Sequence, residues 1–139
     1  MNSAKPLPAV LDPDARTYWS AAKQHRLSLQ QCDRCSSFLY PPGPACPVCG
    51  AAQLTYKDLG SNITGKVYSY IVPHRAFVSG FAEEAPYAVL LVDVDQAPGV
   101  KILANLVNSS WQSAKIGMSV RMVWEDRTSD VAIPQWESA

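Results

Sequence analysis

Alternation of apolar and polar positions dominates the second half of the chain. Residues 64–74 set Val67, Ser69 and Ile71 against Tyr68, Tyr70 and Val72, and a period of two predicts a strand with one buried face. Residues 87–94 form a nearly continuous apolar strand, and 95–99, Asp-Gln-Ala-Pro-Gly, read as a turn. Residues 101–107 and 120–126 predict two further strands, and 132–136 a short last one. Five short strands punctuated by Gly, Pro and Asp, with no long helix between them, predict a small barrel of the OB-fold type. Between residues 75 and 86 a loop displays Phe77 and Phe81 ahead of Glu83 and Glu84. Loops that present aromatic side chains are more often binding or lid segments than core.

The start of the chain has a different period. Asp12-Pro13 pairs a carboxylate that accepts backbone N–H bonds with a proline suited to the first helical position. Ala15, Tyr18, Trp19 and Ala22 follow at helical spacing, predicting a helix of about three turns with one apolar stripe. So short a helix is marginal in water and must dock. Tyr18 and Trp19 therefore pack either on their own domain or in a partner's groove.

Between these halves lie all four cysteines: Cys32 and Cys35, a ten-residue gap, then Cys46 and Cys49, followed by Gly50. Each Cys-x-x-Cys turn can bring two thiolates to one tetrahedral Zn(II), and two such turns in so short a span predict a zinc ribbon. Ligand type alone would also admit iron. Redox pairs fit less well, because Ser36-Ser37 and the Pro41–Pro44 run flank these turns rather than a strand–helix junction. Four thiolates leave no open position for water, so the expected role is structural. The chain thus divides into a helical segment, 1–26, a ribbon, 27–55, and a barrel, 56–139.

Composition narrows the function. The 139 residues are 47% hydrophobic and 17% charged, the make-up of a compact folded chain. Twelve basic residues balance twelve acidic ones, so nothing global attracts duplex nucleic acid. The longest apolar run, residues 87–92, is about a third of a membrane span. Residues 1–11 lack the pattern of a signal peptide, so a cytoplasmic chain with reduced thiols is expected. No phosphate-binding Gly-rich loop or Gly-x-Ser-x-Gly elbow occurs, and neither His25 nor His74 sits in a recognisable catalytic motif.

Taken in order, Tyr18-Trp19, Arg26-Leu27, the Cys32/Cys35 pair, Tyr40-Pro41-Pro42, Cys46-Pro47-Val48-Cys49-Gly50, Gly65-Lys66-Val67-Tyr68-Ser69, Ala85-Pro86-Tyr87 and Ile116-Gly117-Met118 resemble the small zinc-ribbon/OB-fold proteins associated with acyl-CoA metabolism. The resemblance spans nearly the whole chain. It implies an N-terminal helix, a rubredoxin-like ribbon and a five-stranded OB barrel. It also implies a subunit that is not itself catalytic. Such a subunit completes the acyl-CoA channel of a thiolase-superfamily partner: an acyl-CoA thiolase, a hydroxymethylglutaryl-CoA synthase complex or a lipid-transfer-type aldolase of steroid side-chain degradation. On that reading Lys66, His74, Arg75 and Lys101 are candidates for meeting acyl-CoA, and Tyr18, Trp19, Phe77 and Phe81 for meeting the large subunit. One departure stands out: His25 occupies the place before Arg-Leu where relatives often carry glycine. Two other readings remain open, a single-stranded nucleic-acid module stacking bases on Tyr68, Tyr70 and Phe77, and a stand-alone acyl-CoA enzyme using His74 as base.

Overall fold

The computed structural model describes residues 5–139; the first four residues of the expected 1–26 segment lie outside it. Asp12 caps the first turn, its carboxylate accepting the Asp14 N–H at 2.9 Å. That turn is 3-10, Pro13–Ala15, and only then does helix α1, Arg16–Ala22, begin. The helix ends in a two-bond cap: the His25 N–H donates to the Ala22 carbonyl at 2.8 Å and the Arg26 N–H to the Ala21 carbonyl at 3.0 Å. This closure needs a left-handed residue, and His25 supplies it with a φ of 59°. Glycine would adopt that conformation with least strain.

Strand β1, Leu27–Cys32, runs antiparallel to β2, Phe38–Leu39, on one side and to β3, Leu54–Gly60, on the other. The β1–β3 ladder joins Cys32 to Leu54 at one end and Leu27 to Gly60 at the other, so the ribbon sheet continues past residue 55. The barrel strands follow as β4, Thr64–Ile71, β5, Val89–Val94, β6, Lys101–Asn105, β7, Ser119–Asp126, and β8, Ala132–Ser138. Their order, β6-β5-β4-β7-β8, is antiparallel throughout and closes through a parallel bridge from Leu106 to Trp136. The Val107 N–H donates to the Trp136 carbonyl at 2.8 Å to seal it. This is the five-stranded OB barrel that the alternation predicts.

One strand departs from its pattern. A bulge between Val67 and Ser69 interrupts the β4–β5 register, so strict alternation fails beyond it. Val67 is buried, whereas Tyr68, Tyr70 and Ile71 are all exposed. An extra residue bends the strand and turns the side chains after it. Just before it, Gly65 lets β4 approach β5, because a Cβ there would collide with the Asp93 carbonyl.

Tyr18, Leu27 and Leu29 share a single buried cluster with the barrel residues Leu90, Val92, Ile102 and Trp136. Trp136 is fully buried and its indole N–H donates to the Ile102 carbonyl at 3.2 Å. The helix and the barrel end of the ribbon are thus built into the barrel core. Beyond them the ribbon tip has its own small cluster, Cys32, Leu39, Cys46 and Ala51.

Candidate metal centre and ligand face

The two cysteine turns repeat one design. The Ser36 N–H donates to the Cys32 carbonyl and the Gly50 N–H to the Cys46 carbonyl, each at 2.9 Å. The Cys32 and Cys46 N–H groups then donate to Ser37 and Ala51 carbonyls at 2.9 and 2.8 Å. Both turns close on a left-handed residue, Ser36 at φ 65° and Gly50 at φ 80°. The sequence shows the glycine; nothing in it marks Ser36 as its counterpart.

The result is four sulfur atoms within 4.8 Å of one another. Cys32 and Cys49 lie 3.6 Å apart, as do Cys35 and Cys46. A tetrahedron with arms of about 2.3 Å has edges of about 3.8 Å, so the sulfurs are already spaced for a thiolate-bound metal. Backbone N–H groups of Cys35 and Val48 point at Cys32 and Cys46 sulfurs from 3.5 and 3.4 Å. The Ser37 hydroxyl, 3.2 Å from the Cys35 sulfur, and the Ser37 backbone hold that thiol down to about 6. At Cys49 the Ala51 N–H pulls the other way, yet burial and the three neighbouring thiols push it up to about 11. Four such groups cannot all ionise side by side without a cation between them. The donor set fits a structural metal bound by Cys32, Cys35, Cys46 and Cys49.

A clamp that the sequence does not announce holds the proline-rich loop beside this centre. The Gln30 carboxamide donates to the Gly43 carbonyl and accepts the Gly43 N–H, both at 2.9 Å. Gln30 is almost fully buried, so these bonds replace the water it lost.

The four residues considered for acyl-CoA fall into two groups, one on the strands and one past the end of β4. Lys66, Asp93 and Lys101 are cross-strand neighbours on β4, β5 and β6. Lys101 pairs with Asp93 at 3.1 Å and lies 4.5 Å from the Tyr68 ring centre, while Lys66 donates to the Ser119 hydroxyl. At the far end His74 packs edge-on against Trp111 at 5.2 Å, and Arg75 lies 5.7 Å from the Phe77 ring. His74 has no hydrogen-bond partner among the described residues, so no nucleophile or orienting carboxylate accompanies it.

The four residues considered for a partner also separate. Tyr18 is 3% exposed, edge-on to Trp19 at 5.0 Å and beside Tyr40 at 5.9 Å. Its ring packs on its own domain. Trp19 and Phe81 are half-buried and line one cavity. Phe77 alone is fully displayed, at 86% exposure, with Val78 beside it.

Fold and site together define a thiolate-ribbon/OB-barrel protein. Residues 19–55 match the ChsH2 rubredoxin-like zinc ribbon domain and residues 60–125 the ChsH2 C-terminal OB-fold domain. The chain belongs to the ChsH2 family. It is 36% identical over 135 residues to a probable enoyl-CoA hydratase alpha subunit of Thermomonospora curvata, covering 97% of this chain and 40% of that one. The chain therefore spans less than half the length of that relative. Among solved structures it is similar to a chain of the Ltp2-ChsH2(DUF35) aldolase, with a TM-score of 0.79 at 33% identity, covering 94% of this chain and 98% of that one. A DUF35-family protein from Sulfolobus solfataricus shares the fold, with a TM-score of 0.66 at 14% identity. No helix among the described residues is long and apolar enough to cross a membrane.

Proposed function

We propose that this chain is a non-catalytic, acyl-CoA-binding accessory subunit that assembles with a thiolase-like large subunit and completes its substrate channel. The observation that carries the reading is the end-to-end likeness to a chain of an aldolase complex, 98% of that chain being covered. The longer relative is named for enoyl-CoA chemistry, which supports a CoA thioester as the shared ligand. One Zn(II) per chain, held by Cys32, Cys35, Cys46 and Cys49, supplies no chemistry beyond fixing the ribbon.

The chain's own residues contribute binding and shielding. Lys66 lies on β4 and His74 past its end at Ile71, a separation of at most about 26 Å at about 3.3 Å per residue. Lys66 and Lys101 at one end, and His74 and Arg75 at the other, suit a long ligand with phosphates rather than a compact one. Phe77 suits the centre of an interface, where buried aromatic anchors contribute most. Single-stranded nucleic acid is the weaker reading: twelve basic residues balance twelve acidic ones, and stacking modules need a free basic groove.

Co-expression with an Ltp2-type large subunit tests this. A stoichiometric complex should form, and the isolated chain should show no aldolase or thiolase turnover. Phe77→Ser should abolish co-purification while leaving the subunit's own stability within about 0.5 kcal/mol, as for other surface changes. Turnover by the isolated chain, or an unaltered complex with Phe77→Ser, would count against the subunit and interface readings respectively.

A further inference from the structure

OB barrels commonly take ligands on the face of their second and third strands, between the loops that follow the first and fourth. Here that place is β5 and β6, flanked by the loop carrying Phe81 and the turn beginning at Arg127. It is roofed by the chain's own helix and ribbon. What remains beneath is a cavity of about 330 Å³ lined by Trp19, Tyr40, Phe81, Leu103 and Asn105 among others.

Tyr18, Trp19, Tyr40 and Phe81 bring aromatic rings to its walls, and its charges cancel. Arg127 faces Glu125 at 3.5 Å, and the Gln135 carboxamide donates to Glu125 at 3.1 Å and accepts the Asn105 N–H at 2.8 Å. Lys5 pairs with Glu84 and lies 4.8 Å from the Phe81 ring centre. Lys5 and Arg127 both keep their side chains mostly buried, at 14% and 13% exposure. Neither ion pair leaves a net charge for an ionic ligand. The Asn105 carboxamide is different. It lines the cavity and, among the described residues, has no hydrogen-bond partner for its donor or its acceptor.

The mouth is built by close packing. Gly80 turns at φ 92°, and a Cβ there would sit 2.6 Å from the Lys5 nitrogen. The Phe81 loop is therefore seated against residue 5, with Phe81 tilted onto Tyr87 at 5.7 Å.

We propose that this cavity binds a compact, neutral, apolar small molecule bearing one carbonyl or hydroxyl, held by aromatic contact and by the Asn105 carboxamide. At about 30 Å³ per atom, the share of a water in the liquid, the space admits on the order of a dozen non-hydrogen atoms, near the lower limit for ligand pockets. The inference does not depend on which large subunit the chain joins.

The test titrates the full chain with 1-tetralone, and with tetralin as the hydrocarbon control, following assigned amide, indole and carboxamide signals by NMR. The ketone should saturate at one per chain and move the Trp19, Phe81 and Asn105 signals. Asn105→Leu should weaken the ketone about tenfold, the value of one lost hydrogen bond, and leave tetralin nearly unchanged. Phe81→Ala is the second arm and should weaken both probes together. The proposal is overturned if neither probe saturates, or if folded Asn105→Leu binds the ketone as the parent does. It is equally overturned if the cavity signals ignore both probes and respond only to an added large subunit, which would make the cavity a socket for a protein side chain.

Discussion

The ribbon tip and the barrel reach order by different physics. The barrel contributes most of a buried cluster that includes Leu90, Val92, Ile102, Val120 and Trp136, each essentially without exposure. The ribbon tip buries Cys32, Leu39, Cys46 and Ala51, two of them metal ligands. Apolar burial scales with area, so the barrel can hold itself and the tip cannot. What the tip has is preorganisation, its sulfurs already at tetrahedral spacing. Metal loss and core damage should therefore disrupt different parts of the molecule.

The largest effect is expected from the metal. Structural zinc contributes about 10–16 kcal/mol in small zinc domains, far more than four buried side chains. Chelation, or Cys46→Ser, should unfold residues between Cys32 and Cys49 while the barrel amides keep their dispersion in NMR spectra. Elemental analysis should give one zinc per folded chain. An ordered tip without metal would erase the contrast.

Next in size is Trp136→Ala. Truncating a fully buried Trp costs about 3–5 kcal/mol, and here the Ile102 carbonyl also loses its donor. The barrel should melt correspondingly earlier. Because Leu27 and Leu29 share its core, the base of β1 should loosen too, whereas the thiolate absorption of a Co(II)-loaded tip should outlast the barrel transition. Simultaneous loss of both signals would show one cooperative unit rather than two.

The legibility of the sequence follows the same divide. Ligand spacing is a local constraint, so the four cysteines and their geometry could be read directly. Barrel strands that alternate cleanly, such as β5, could be read as well. The bulge at Tyr68 could not, since its signal is a register with β5 that forms only in the fold. Nor could the extension of the ribbon sheet through β3, or the clamp of Gln30 on Gly43, both fixed by distant partners. Residue type and resemblance point to the acyl-CoA and interface candidates, but carry no tertiary contact. The structure separates them because Tyr18 meets Tyr40 of the ribbon, a contact that no helical period reveals.

A smaller effect sharpens the seam between the two regions. Tyr18, Tyr40 and Tyr56 join helix and ribbon, and burial raises each phenol above its ordinary 10, Tyr18 the furthest. A raised acid pKa stabilises the fold fully below the unfolded value and loses that contribution as pH climbs past about 10. Each such phenol then costs up to about 1.4 kcal/mol per pH unit while it stays protonated in the fold. The chain should unfold in alkali with a cooperative jump in tyrosinate absorbance. Tyr18→Phe should shift that transition upward relative to its own neutral-pH stability, and an unchanged midpoint would remove Tyr18 from the seam.

The smallest effect concerns His25, a left-handed residue at the place where the resemblance leads one to expect glycine. Its left-handed backbone costs about 1–2 kcal/mol that glycine would not incur. In return its ring stacks on Trp124, with centres 6.2 Å apart and planes within 11°, and its Nε2 meets Asp126 at 2.8 Å. These contacts tie the helix cap to β7 at a half-exposed position, where a polar side-chain contact contributes at most about 1 kcal/mol. Strain and contacts therefore nearly balance. His25→Gly removes both and should leave the melting point within a few degrees of the parent. His25→Ala keeps the strain and loses the contacts, so it should be the less stable of the two by about 1 kcal/mol. If alanine and glycine melt together, the left-handed cap is not what His25 is traded against, and the contact with Asp126 alone sets its value.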